Sequence, residues 1–76
     1  MVITHVTQIE EGKRFVFTIK GEGDNMPMHG FVCTDSNVVE IEGIRITDPA
    51  KIKKVFDLCK SKFDEKKAAV EAIIGD

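Results

Sequence analysis

Met26, Met28, His29 and Cys33 fall within eight residues of one another. Thioether, imidazole and thiol form the soft ligand set that selects Cu(I), and His with Cys also suits Zn. The chain's other soft ligands are Met1, His5 and Cys59. A zinc site built from His5, His29, Cys33 and Cys59 has to gather ligands from three separate elements, and no close-spaced Cys or His pair supports one. For nucleophilic catalysis, Cys33 or Ser36 can be written beside His29 or His5 and Asp35 or Asp24. No local motif such as a nucleophile elbow backs any such set. A chain of 76 residues also leaves little room for a water-excluding pocket. The sequence therefore predicts no enzymatic activity and no cofactor.

Met26-Pro27-Met28-His29 resembles short segments of copper-handling proteins, over four residues of 76. The resemblance implies Cu(I) or Zn binding through this loop, with Met26, Met28, His29 and Cys33 as metal candidates. Against it, Met28 and His29 are adjacent in what reads as a strand edge, so they point to opposite faces. The competing expectation is that Met26 and Met28 pack as flexible apolar cover over a sheet end. The preceding Gly21-Glu22-Gly23-Asp24-Asn25 lacks both the spacing of an EF-hand loop and the lysine of a phosphate-binding loop. It reads as a hairpin connection, or as a contact loop made of Asp24, Asn25, Met26, Met28 and His29.

Charge divides the chain. Residues 1–47 carry four basic against seven acidic side chains, a balance of -3, and residues 48–76 carry seven lysines against six acids, a balance of +1. Lys51, Lys53, Lys54, Lys60, Lys62, Lys66 and Lys67 allow a nucleic-acid helix as one alternative. Acids interrupt them, however, the chain is net -2, and it holds no Trp or Tyr to stack on bases. Nucleic acid is thus not the expected partner. No apolar run exceeds three residues, which excludes a membrane span and a signal-peptide core and leads to an expected cytoplasmic location. Two cysteines close at most one disulfide, and a Cys33–Cys59 bridge is not expected in a reducing cytosol.

Both prolines and all but one of the glycines precede residue 50, so residues 1–47 read as strands and turns and 48–75 as helix, in a single domain over 1–76. Arg14 to Lys20 alternates as a strand, with Phe15, Phe17 and Ile19 on one face. Val2 to Ile9 is β-rich without clean alternation, so its register stays open. His29 to Thr34 reads as a strand with Phe31 and Cys33 on one side. Val38 to Thr47 is either a hairpin turning at Glu42-Gly43 or one long strand with a bulge at Gly43. The predicted fold is α+β: a meander-like antiparallel sheet of four to five strands, covered on one face by a long C-terminal amphipathic helix. The covered face is expected to hold Phe15, Phe17, Ile19, Phe31, Cys33, Val39, Ile41, Ile44 and Ile46.

Thr47-Asp48-Pro49 is a helix start, combining a capping side chain with proline in the first turn. At 100° per residue, Ile52, Val55, Phe56, Cys59, Phe63, Val70, Ile73 and Ile74 fall within an arc of about 100°. One helix from Pro49 to Ile74 is predicted, ended by Gly75, against the alternative of a break near Phe63-Asp64. Such a helix is about 39 Å long, whereas strands of seven or eight residues offer roughly 25 Å. The sequence therefore predicts an overhang whose apolar residues pack on another chain. Lys66 lies inside the apolar arc and is expected to snorkel or to meet a partner's carboxylate. The expected role is that of a non-catalytic protein-interaction module, a homodimer, with Phe63, Lys66, Val70, Ile73 and Ile74 as its contact surface and the Gly21–His29 loop as a second one.

Overall fold

The computed structural model describes residues 2–75. Five strands, β1 (Ile3–Glu10), β2 (Arg14–Ile19), β3 (Met28–Cys33), β4 (Val38–Ile41) and β5 (Ile44–Ile46), precede a single helix, α1 (Pro49–Ile74). The strands form one antiparallel sheet in the order β1-β2-β3-β4-β5, a meander. The α+β architecture follows, with α1 packed on one face of the sheet.

Turn chemistry explains the meander. Glu42 and Gly43 both take positive φ, 49° and 83°, the signature of a tight hairpin turn whose twist matches the strands it joins. The hairpin reading of this segment therefore holds, and the bulged single strand does not. Gly12, at φ 71°, allows the three-residue β1–β2 connection, and Asn37, at φ 50°, closes the β3–β4 turn.

The face under the helix differs from expectation in β3. Phe15 pairs with Val32, Phe17 with Gly30 and Ile19 with Met28, so Val32 joins the core and Phe31 faces the other way, beside Val16. The reason lies at position 30. A Cβ there would stand 2.9 Å from the Phe17 ring and closer still to the Glu40 carbonyl, so only glycine fits beneath that ring. Cys33 pairs with Arg14 and Val38 and likewise belongs to the far face, although it is buried. In β1, a bulge between Ile3 and His5 resets the phase and turns Ile3 and Val6 together into the core. Ile3, Val6, Phe15, Phe17, Ile19, Val32 and Val39 pack against Ile52, Val55 and Cys59 of the helix.

Helix α1 is continuous, with no break at Phe63-Asp64. Its N-cap is Asp48, whose carboxylate accepts the Ala50 amide at 2.9 Å. The direction of the overhang differs from the sequence argument. The helix does not run along the strands. It starts two residues beyond β5 and reaches β1 at the opposite edge, where Lys66 touches Val6. Five strands about 4.8 Å apart span roughly 20 Å. A 26-residue helix of about 39 Å crossing them must leave the sheet behind at β1. The same crossing leaves the β5 end of the inner face bare: Ile44 shares the core-facing side but is 69% exposed.

Candidate functional site

The exposed end of α1 is the most distinctive surface, and its residues divide into a base and a tip. Phe63, at the base, is half-buried with its ring tilted against Phe15 at 5.8 Å between centroids. Lys66 is committed within its own chain: its Nζ donates to the Val6 carbonyl oxygen at 3.2 Å. The expectation that Lys66 awaits a partner's carboxylate is thus replaced by a bond to the backbone of the β1 edge. Beyond it, Val70, Ile73 and Ile74 keep the apolar phase of Ile52, Val55 and Cys59 but are 45%, 77% and 76% exposed. Residues 67–74 add about 12 Å of helix beyond Lys66.

Upstream of this end, each acid of α1 is paired with a lysine of the same helix. Lys53 pairs with Asp57 at 2.8 Å, Lys60 with Asp64 at 3.5 Å and Lys62 with Glu65 at 4.0 Å. The Asp57 carboxylate raises the Lys53 ammonium above its ordinary pKa. Lys67 and Glu71, one turn apart on the flank of the apolar stripe, enter no ion pair among the described residues. Lys67 also borders a depression of about 240 Å³ floored by Phe15, Phe56 and Phe63 and rimmed by Gln8 and Glu11.

Both sheet edges are guarded against strand addition. β1 carries two register shifts, and Lys66 occupies one of its outward carbonyls. β5 is only three residues long. Bulges, edge lysines and short edge strands all blunt a sheet edge, so contacts with other chains fall to side chains.

The loop candidates gather less completely. Met26, 83% exposed, does not act as packed cover. It lines a groove of about 940 Å³ with Val2, Ile19, Asn25, Met28 and Ile41. Met28 faces the core side opposite Ile19, whereas His29 faces the other side opposite Thr18 and shares a 3.2 Å hydrogen bond with its hydroxyl. The Asp24 side chain is exposed in the loop. Cys33 sits at the far end of β3, so the structure does not bring Met26, Met28, His29 and Cys33 together. Among the described residues no group of three or more His, Cys, Asp or Glu is placed to hold a metal ion.

The two cysteines lie on opposite sides of the sheet and are both free. Sequence reading missed the surroundings of Cys33. The Ser36 backbone N–H holds its thiol below the ordinary value, helped by the Ser36 hydroxyl and by Arg14, whose Nε–H donates to Sγ at 3.3 Å. Arg14 reaches Cys33 only through the β2–β3 register, which no local pattern specifies. Cys59, fully buried under the helix, is the opposite case, with burial pushing its thiol up to about 12.

Comparison of the chain with protein-family models, with curated proteins and with solved structures gives no match. No helix among the described residues is long and apolar enough to cross a membrane.

Proposed function

We propose that this chain is a non-catalytic protein-interaction module of the cytoplasm, that it binds another protein through the exposed end of α1, and that it is a homodimer. One observation carries the reading: Val70, Ile73 and Ile74 continue the buried face of the helix past the edge of the sheet that covers it. Exposed aliphatic side chains in register with a core are a surface awaiting cover, because leaving them in water forgoes about 25 cal/mol for each Å² of apolar area. The groove beside Met26 and Met28 is a second contact surface on the same molecule. Sedimentation velocity tests the reading. The wild-type chain is expected at twice its 8.5 kDa mass at high concentration, and Ile73→Asp at the mass of one chain. A wild type that stays at one-chain mass throughout rules the homodimer out.

A further inference from the structure

We infer that the partner at the helix end is a second copy of this chain lying antiparallel to the first, its register set by reciprocal ion pairs between Lys67 and Glu71. The inference rests on the interaction reading above and supplies its geometry. Asp57, Asp64 and Glu65, the other acids of α1, each pair with a lysine of their own helix, whereas Glu71 is left without one among the described residues. Lys67, one turn before it, is unpaired as well, as are Lys51, Lys54 and Lys66. Lys67 and Glu71 lie on the same flank of the apolar stripe that carries Val70 and Ile74. In an antiparallel helix pair related by a two-fold axis, each flank meets its own counterpart. An axis near Ala69 then sets each Lys67 opposite the other copy's Glu71, giving two equivalent ion pairs. In a parallel pair this flank faces the opposite one, which carries Ala69, Ile73 and Lys66, the last already donating to the Val6 carbonyl oxygen, and offers Lys67 no complementary acid.

The same register brings Ile74 level with Asp64 of the other helix, over the depression floored by Phe56 and Phe63. It also keeps the two β1 strands about 9 Å apart along the helix direction, six residues at 1.5 Å each. That is too far for strand pairing, in keeping with the guarded β1 edges. An overlap of ten or so residues makes a small interface, so the dimer is weak and concentration-dependent.

Charge exchange tests the arrangement. Lys67→Glu alone and Glu71→Lys alone each place like charges at both contacts, and each is expected to dimerise about tenfold more weakly than wild type. Both positions are exposed, so neither change disturbs folding, which circular dichroism checks. An equimolar mixture of the two variants restores opposite charges at both contacts. It is expected to recover wild-type association and to appear as the mixed dimer in native mass spectrometry. A wild-type dimer that Ile73→Asp dissociates, but whose charge variants gain nothing on mixing, overturns the antiparallel register and leaves the interaction reading in place. A wild-type chain that sediments singly at every concentration overturns both.

Discussion

From Pro49 to Phe63 and again from Lys66 to Ile74, α1 carries one unbroken apolar phase, yet the two stretches have opposite surroundings. In the first, Ile52, Val55 and Cys59 are at most 7% exposed beneath the sheet's inner face. In the second, Ile73 and Ile74 are more than three-quarters exposed. Apolar periodicity thus identifies the side of a helix that seeks cover without saying what covers it. The supply of cover is decided by the sheet, whose width across five strands is about half the helix length.

The comparison breaks most directly on stability. Ile52→Ala removes a buried side chain that the surrounding strands cannot replace, and is expected to cost about 3 kcal/mol. For 76 residues the whole stability is roughly 4–11 kcal/mol, so that loss shows as a large shift of the urea midpoint. Ile73→Ala, measured at a dilution where the chain is single, is expected to cost less than about 0.5 kcal/mol. Equal losses at the two sites would mean that the end of the helix is covered within one chain.

Cys59 sharpens the boundary, because it is the last fully buried residue of the covered stretch. Its thiol titrates near 12 in the folded chain, against an ordinary value of 9.0. The folded state therefore holds a proton that the unfolded state releases between those values. Stability falls as pH rises through this window, by at most about 1.4 kcal/mol per pH unit. Chemical denaturation at several alkaline pH values should show a shallower decline in Cys59→Ala than in wild type. Equal slopes would show that water reaches this stretch of the helix.

Much of this arrangement is legible in the sequence because it is local. The Asp48 cap, the unbroken helix, the Glu42-Gly43 turn and the stripe that ends in Ile73 and Ile74 each depend on a few neighbouring residues. What escapes is set across strands. Phe31 and Cys33 alternate as convincingly as Val32 does, and the choice between them rests on Gly30 fitting beneath Phe17, fifteen residues from the aromatic cue at Phe15. The face of β1 is likewise hidden by the bulge after Ile3, since any reading with a strict period of two separates Ile3 from Val6. The helix end is legible as a surface, whereas its direction over β1 depends on the crossing of α1 over the strands, which leaves no local trace.

Lys66 stands at the junction of the two stretches and supplies the finest test. Its stem lies in the apolar arc, while its ammonium satisfies an outward carbonyl in the middle of the β1 edge. Lys66→Met keeps the stem and removes the donor. One hydrogen bond to a charged group at a partly buried site is expected to contribute about 1 kcal/mol. The variant should therefore unfold at a modestly lower urea concentration, less affected than Ile52→Ala and more than Ile73→Ala. The freed Val6 carbonyl also exposes β1 to strand pairing, so aggregation on standing should rise, read by light scattering. A Lys66→Met chain as stable and as soluble as wild type would show that the two bulges alone guard this edge, and that the helix passes over β1 without being tied to it.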